Sequence, residues 1–213
     1  RRTGGLRLPP HPYVGLQTVT WLFEGHVEHA DSLGNRHLVR PGELNLLTAG
    51  TGVCRAEVSP RGAPRMLHGL QLWVALPGAA RTGVAPSFTH VPEPPTYSEQ
   101  GATLRVLAGS LAGEVSPAPT YSPLVGTEIT LEPGATATLP LDEEFEHGAL
   151  VARGEVVVGG EPVGRDEMVY LGSGRAGLEL AAPDDAAGPA VLLLLGGEPF
   201  AEEVVLWWNF LGS

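Results

Sequence analysis

The sequence predicts an all-β protein made of two tandem jelly-roll barrels. The 29 Gly and 20 Pro residues separate short apolar runs, these runs recur at a spacing of roughly 8–12 residues, and no amphipathic helix of convincing length is found. We predict strands at 16–23, 26–30, 36–40, 43–48, 52–58, 66–76, 103–108, 125–132, 135–139, 147–152, 155–158, 167–171, 176–181, 190–195 and 203–208.

The stretch from His11 to Gly25 is predicted to be one strand that ends in a turn. It begins after Pro9 and Pro10 and continues into an apolar, β-branched run that stops at Gly25. Side chains two residues apart on a strand point to the same face, so His11 and Tyr13 are expected on one side of the sheet.

A Pro-rich segment at 91–95 is the best candidate for a linker. Proline removes backbone donors and forces extended geometry, so this segment cannot be an interior strand. We therefore predict an N-terminal barrel at residues 1–95 and a C-terminal barrel at 96–213. The charge balance changes at the same point: residues 1–95 carry 9 Arg and 6 acids (net +3), whereas 96–213 carry 4 Arg and 18 acids (net −14).

An internal repeat supports two barrels of the same kind. The segment 22–27 matches 151–156 with an offset of 129, and the segment 43–50 matches 167–174 with an offset of 124. Each copy reads as a strand, a glycine turn and a second strand, because glycine fills turn positions where a side chain would clash.

Composition excludes several classes of function. The formal net charge is −11 and the acidic second half lacks clustered cations, which argues against nucleic-acid binding and against an anionic membrane surface. No apolar run approaches the length of a membrane span. The single cysteine, Cys54, excludes an intrachain disulfide and fits a reducing compartment, so we expect a cytoplasmic protein.

The segments that carry a family resemblance are spread over the whole chain. They are 10–25, 31–35, 41–43, 48–52, 68–74, 145–148, 195–200 and 207–210. In their order and spacing they resemble the pirins, a family of bicupins, that is, proteins of two cupin (double-stranded β-helix) barrels. No single segment is specific for the family, but the set is.

The resemblance implies a metal site in the first barrel. In pirins, two His of a His-Pro-His segment, and a His and a Glu two residues apart on a later strand, bind a non-haem metal. The matching positions here are His11, Tyr13, Arg55 and Glu57. His11 and Glu57 can act as ligands, whereas Tyr13 could do so only as a phenolate, and Arg55 has no lone pair and stays protonated.

Three interpretations of this altered site are kept open. In the first, Arg55 takes the place of the metal and neutralises Glu57, or another acid, by a charge-assisted hydrogen bond, so that no cofactor is expected. In the second, His11, Glu57 and nearby groups keep a weak site for a divalent metal such as Fe(II). A milder alternative places Arg55 at the barrel mouth and His11 among ordinary packing contacts.

The remaining candidates are expected to be secondary. His68 is predicted to line the first pocket together with Tyr13 and Arg55, while Cys54 should face away from the cavity. His26, His29 and His147 are expected to be surface or core residues. The offsets match the four family positions to Pro140, Asp142, Glu179 and Ala181, so the second barrel is predicted to be structural.

Two classes of function follow from the resemblance. Some pirins resemble quercetin 2,3-dioxygenases, and pirins are also partners that modulate transcription regulators and metabolic enzymes. The lost ligands favour a non-catalytic or weakly metal-binding module that acts through a protein partner or a small apolar or aromatic ligand. The alternative is a metal-dependent, quercetinase-like oxygenase that uses the first barrel.

Overall fold

The computed structural model describes residues 5–64 and 66–212, which form two compact units. The first contains the described residues up to Glu93 together with those from Phe200 onward. The second runs from Pro94 to Pro199. Nearly all regular structure is β, in agreement with the predicted fold class.

The first unit contains the N-terminal barrel. Its elements are β1 (Arg7–Tyr13), β2 (Leu16–Glu24), β3 (Val27–Asp31), β4 (Arg36–Val39), β5 (Leu44–Thr48), β6 (Val53–Val58), β7 (His68–Ala75), the short helix α1 (Gly78–Gly83) and β8 (Ser87–Val91). Within the described residues they form two four-stranded antiparallel sheets, in the orders β1-β6-β3-β4 and β7-β2-β5-β8.

The second unit repeats this plan. Its strands are β9 (Thr96–Glu99), β10 (Ala102–Leu111), β11 (Glu114–Val115), β12 (Leu124–Leu131), β13 (Thr136–Pro140), β14 (Glu146–Arg153), β15 (Val156–Val158), β16 (Glu161–Val163), β17 (Met168–Gly172), β18 (Gly177–Ala181) and β19 (Ala190–Gly197). One sheet has the order β13-β18-β15-β16, and the other has the order β11-β10-β12-β19-β14-β17 with β9 paired to β10.

Backbone geometry reflects the repeat. The turn between β2 and β3 contains Gly25 at φ 87°, and the matching turn between β14 and β15 contains Gly154 at φ 77°. The next pair of turns contains Gly42 at φ 79° and Asp166 at φ 65°. Left-handed φ values at matched positions show that the same turns recur in both barrels, with Asp166 in the place of a glycine in the second.

The stretch from His11 to Gly25 is not one strand, contrary to the prediction. It is divided between β1 and β2, which lie in different sheets, and Gly15 separates them at φ 75°. A Cβ atom at Gly15 would lie 2.6 Å from the backbone oxygen of Leu211, so both the conformation and the space at this position require glycine. An alternating apolar pattern cannot reveal such a break.

The C-terminal segment differs from the predicted domain boundaries. The sequence places residues 200–213 in the second barrel, but those that the structure describes belong to the first unit. They form the hairpin β20 (Val205–Trp207) and β21 (Phe210–Gly212). Val14 N donates to Asn209 O at 3.2 Å, and Leu211 N donates to Val14 O at 3.0 Å. The carboxylate of Glu202 pairs with Arg81 at 2.6 Å.

The sequence also missed several short elements. These are α1, β8, β9, β11, β16 and β21, each of six residues or fewer. Strand β8 was hidden because its last residue, Val91, begins the Pro-rich segment that reads as a linker. Among the residues that the structure describes, no helix has the length and apolar character needed to cross a membrane.

Candidate functional site

The candidate site lies where β1 pairs with β6 in the first barrel. His11 is the cross-strand partner of Arg55, and a register irregularity between Leu8 and His11 precedes this pair. Strand β6 alternates strictly between buried and partly exposed positions, with Arg55 and Glu57 buried and Cys54 partly exposed. The two charged side chains therefore face the interior and Cys54 faces away, as the spacing predicts.

Arg55 and Glu57 form a buried ion pair. Their side chains are 1% and 2% exposed, and Arg55 Nη2 lies 3.2 Å from Glu57 Oε2. Arg55 Nη1 donates to Thr18 Oγ1 at 2.8 Å, and Gln71 Nε2 donates to the same Glu57 oxygen at 3.2 Å. A cation and an anion are tolerated in a barrel interior only when they are paired and hydrogen-bonded in this way.

Tyr13 stays a neutral phenol beneath the guanidinium. It is buried, and its ring centroid lies 4.8 Å from Arg55 Cζ and 5.9 Å from the ring of Trp73. Burial raises the pKa of Tyr13 above its ordinary value, although the positive charge of Arg55 opposes the shift. The phenolate form that a metal would need is therefore disfavoured.

Both ring nitrogens of His11 are already engaged. Nδ1 lies 2.7 Å from the carbonyl oxygen of Pro9, and Nε2 lies 3.1 Å from the hydroxyl of Tyr13. A carbonyl only accepts, so we assign the proton to Nδ1, which leaves Nε2 to accept from the Tyr13 hydroxyl. The lone pair that would bind a metal is thus used within the protein.

The four residues do not fit the metal that the family resemblance implies. Arg55 offers no lone pair, Tyr13 is neutral, and His11 Nε2 and Glu57 Oε2 already have partners. Two buried atoms of the ion pair, Arg55 Nε and Glu57 Oε1, have no hydrogen-bond partner in the described structure. These two atoms form an unused donor and acceptor inside the barrel.

His68 does not join this site, in contrast to its predicted position. On β7 it lies an odd number of residues from Gln71 and Trp73, so it belongs to the opposite face, and its ring contacts Phe23 at a centroid distance of 4.9 Å. Gln71 occupies the expected place. Thr18 and Gln71 were missed by sequence reasoning because neither residue type signals a charge partner.

A second group of polar side chains lies on β4, before β5 and on β8. His37, Glu43 and His90 bring one ligand-type atom each to within 4.8 Å of one another. They are distant in sequence and match no spaced motif, so sequence reasoning could not assemble them. His29, which was expected to be an ordinary surface or core residue, is buried and pairs with Asp31 at 3.1 Å.

Asp31 lies at the end of β3, where it closes the turn into β4. Burial tends to raise the pKa of its carboxyl group. Hydrogen bonds from Asn35, His29 and the backbone of Leu33 and Asn35 outweigh that effect and lower the pKa below its ordinary value. The cluster around His29 is thus a charged, hydrogen-bonded turn.

The four matched positions in the second barrel do not assemble a ligand set. Glu179 is exposed, because the buried residues of β18 are Leu178 and Leu180. Ala181 has no ligand atom. His147 is buried and lines a cavity of about 400 Å³ together with Phe145. Burial lowers the pKa of His147 below its ordinary value, which favours the neutral imidazole.

Fold and repeat together define the class: the chain is a bicupin. The pirin family profile matches residues 3–74, and the pirin C-terminal cupin domain profile matches residues 126–213. The chain is 46% identical over 98% of its length to a Pseudomonas aeruginosa protein named "putative quercetin 2,3-dioxygenase". It is 38% identical over 96% of its length to a "pirin-like protein" of Caulobacter vibrioides. The chain belongs to the pirin family.

Solved structures agree with this assignment. A crystal structure of quercetin 2,3-dioxygenase from Acinetobacter baumannii superimposes with a TM-score of 0.91 at 39% identity, covering 97% of this chain and 67% of that one. The chain spans 64% of the length of the Pseudomonas relative and 70% of that of the Caulobacter relative.

Proposed function

We propose that this pirin-family bicupin binds a ligand in its first barrel without the family's metal, and works as a binding or regulatory module. The ion pair between Arg55 and Glu57 carries the proposal. It places a permanent cation at a ligand position, where the charge repels the redox ion needed to activate oxygen, and it already pairs one of the two Glu57 oxygens.

The chemistry of the barrel suggests the class of ligand. Arg55 Nε and Glu57 Oε1 supply an unused buried donor and acceptor, which suit a hydroxyl group. The rings of Tyr13 and Trp73 lie nearby at right angles, and Trp73 is 42% exposed. A small aromatic molecule that carries hydroxyl groups fits these features. Binding of this ligand would then change how the protein binds a protein partner.

Metal content is the first test. Protein purified with iron supplied should hold no stoichiometric iron at this site, and the double substitution Tyr13→His with Arg55→His should gain it. Both proteins should also carry His90→Ala, which removes the separate cluster of His37, Glu43 and His90 from the measurement. The proposal would be contradicted if the protein with His90→Ala alone held stoichiometric iron and the further substitution His11→Ala removed that iron.

Ligand binding is the second test, with quercetin as the probe. Quercetin should quench tryptophan fluorescence, and Trp73→Phe should remove most of the quenching. Trp207→Phe is the matched control, since Trp207 is 70% exposed on the C-terminal hairpin. Equal quenching in the two variants would show that quercetin binds elsewhere or unspecifically.

A metal-dependent quercetin 2,3-dioxygenase is the second candidate function. The names of the Pseudomonas relative and the Acinetobacter structure favour it. Oxygen consumption with quercetin and added Fe(II), Mn(II), Cu(II) or Ni(II) separates the two functions. We expect no turnover above that of buffer with metal. Turnover that His11→Ala or Glu57→Gln abolishes would establish the oxygenase and refute the metal-free module.

A further inference from the structure

Three side chains with metal-binding chemistry converge at one edge of the first barrel. His37 lies on β4, Glu43 directly precedes β5, and His90 lies on β8. Glu43 Oε2 is 3.9 Å from His37 Nε2 and 3.8 Å from His90 Nε2. Strands β4 and β8 end the two facing sheets of the unit, so this edge joins residues that are 53 positions apart in the chain.

Two of the three ligand atoms are buried without a partner. His37 Nε2 and Glu43 Oε2 are shielded from solvent, and neither has a hydrogen-bond partner among the described residues. A buried polar atom left unpaired costs about 1–3 kcal/mol, so such atoms are rare in native proteins unless an ion or water satisfies them.

A second contact orients the third ligand. His90 Nδ1 lies 3.1 Å from Asn45 Oδ1, and Asn45 Nδ2 donates to the backbone oxygen of Glu43 at 3.3 Å. The amide oxygen of Asn45 must therefore accept, which assigns the proton of the neutral ring to Nδ1 and leaves a lone pair on Nε2. Metal-binding histidines are typically fixed by such a hydrogen bond from their other nitrogen.

The resulting arrangement places lone pairs against each other. In this tautomer of the neutral ring, the Nε2 lone pair of His90 faces a carboxylate oxygen of Glu43 across 3.8 Å, an arrangement that a cation between the two atoms would satisfy. Ligands about 2.1 Å from a tetrahedral ion lie about 3.4 Å from each other. The distances of 3.9 and 3.8 Å from Glu43 Oε2 to the two histidine nitrogens exceed this by a few tenths of an ångström, which a small side-chain rotation can close.

Burial and neighbouring rings act on His37. Burial, and then the neighbouring His90, lower the pKa of His37 below its ordinary value, although Glu43 opposes the shift. The rings of His37 and His90 lie 4.0 Å apart, and Phe88 packs against His37 at 5.9 Å. These contacts hold the two imidazole rings close together.

We propose that His37, Glu43 and His90 bind one divalent transition-metal ion, with Asn45 as the positioning residue. Two imidazoles and one carboxylate suit Zn²⁺, Co²⁺ or Fe²⁺ rather than Ca²⁺ or Mg²⁺, which prefer oxygen ligands. Three protein ligands leave open positions for water or a substrate. The site is separate from the four family positions and does not depend on the function proposed above.

One charge competes with the ion. Arg40 Nη1 lies 3.9 Å from the same Glu43 oxygen, and its side chain is 50% exposed. An exposed arginine can swing into solvent when an ion binds, so it weakens the site without filling it. Arg40→Gln should therefore tighten metal binding several-fold.

The test is a titration of the chelator-treated full chain with Co²⁺, followed by absorption, and with Zn²⁺, followed by calorimetry. We expect one equivalent of each ion. His37→Ala, Glu43→Gln and His90→Ala should each abolish binding, and Asn45→Ala should weaken it by about 10–100-fold. His68→Ala, a partly buried histidine outside the cluster, is the matched control and should bind as the wild type does.

The outcomes separate this site from the family positions. Binding that survives His90→Ala but is lost in His11→Ala or Glu57→Gln would overturn the proposal, and so would a wild type that binds neither ion. X-ray absorption of the zinc-loaded wild type provides a measurement that needs no folded variant. It should show two imidazoles and oxygen ligands, and a zinc shell with fewer imidazoles would contradict the assignment.

Discussion

The two barrels share one plan but have opposite interiors. In each barrel, the first strand of a four-stranded sheet pairs with the last strand of that sheet in chain order: β1 pairs with β6, and β13 pairs with β18. The cross-strand pairs of these strands include His11 with Arg55 in the first barrel and Leu139 with Leu178 in the second. The same strand arrangement therefore accepts a charged, hydrogen-bonded interior or an apolar one.

The difference extends through both cores. The second barrel is filled by one continuous apolar cluster that includes Ile129, Leu180 and Leu192. Among the residues that the structure describes, the first barrel includes small apolar clusters around Leu47 and around Leu22, and it also buries the ion pair and other polar residues. A barrel that buries polar groups must satisfy each of them, so the first barrel depends on specific partners where the second depends on packing.

The largest effect should come from breaking the buried ion pair. Arg55→Met leaves Glu57 charged and unpaired, and should lower the free energy of unfolding by about 3–5 kcal/mol. Adding Glu57→Met should restore most of the loss, because a well-packed apolar pair often replaces a buried ion pair at little cost. Urea unfolding followed by tryptophan fluorescence is the measurement, since all four tryptophans lie in the first unit.

The matched control is Arg40→Met in the presence of a chelator. Arg40 also faces a glutamate in this unit, but it is half exposed, so the change should stay within about 1 kcal/mol. Equal small losses for Arg55→Met and Arg40→Met would mean that solvent reaches the inner pair.

The sequence anticipated the plan better than the contents of the barrels. Apolar runs and turn glycines predicted most strands and the repeat, because both are local features of the chain. The offset of 124 matched Arg55 to Glu179, yet the buried residue of β18 is Leu178. A shift of one residue exchanges the two faces of a strand, so an approximate offset identifies the element but not the side chain that faces inward.

Long-range contacts account for the rest. Glu57 was predicted as a partner of Arg55 because the two lie on one strand. By contrast, Asn45 and His90 meet only because β5 pairs with β8. Strand β8 itself was not predicted. The position of His68 also depends on which face of β7 points inward, which the register with β2 decides.

In the second barrel, the largest loss should come from a cavity. Leu192 is fully buried on β19, and Leu192→Ala should lower the free energy of unfolding by about 2–5 kcal/mol. Chemical unfolding followed by far-ultraviolet circular dichroism measures it. Met168→Ala, at a 58% exposed position on β17, is the control and should change stability by about 0.5 kcal/mol or less. Similar values for both would show that this core is loosely packed.

A smaller effect is expected at the phenol of the first barrel. Tyr13→Phe removes the hydroxyl that lies 3.1 Å from His11 Nε2 and should cost about 0.5–1.5 kcal/mol. His11 is only partly buried, so water can replace the lost partner. Metal content should not change, because the hydroxyl is not a ligand in our interpretation. Loss of a bound metal in Tyr13→Phe would mean that the phenolate coordinates it.

The last prediction concerns the pH dependence of stability that His147, a buried histidine in the second barrel, should cause. The pKa of His147 is lowered below its unfolded value of 6.5, so the unfolded chain binds a proton that the folded chain does not as the pH falls through that value. Stability should therefore be fully present above about pH 6.5 and decline below it. His147→Leu should remove part of that decline. Comparing each protein with itself at pH 8 cancels the packing difference, because the imidazole is neutral there in both states. If the wild type and His147→Leu instead show parallel pH profiles of unfolding free energy, His147 takes up its proton in the folded barrel as well. The interior of the second barrel would then be more accessible to water than its apolar cluster indicates.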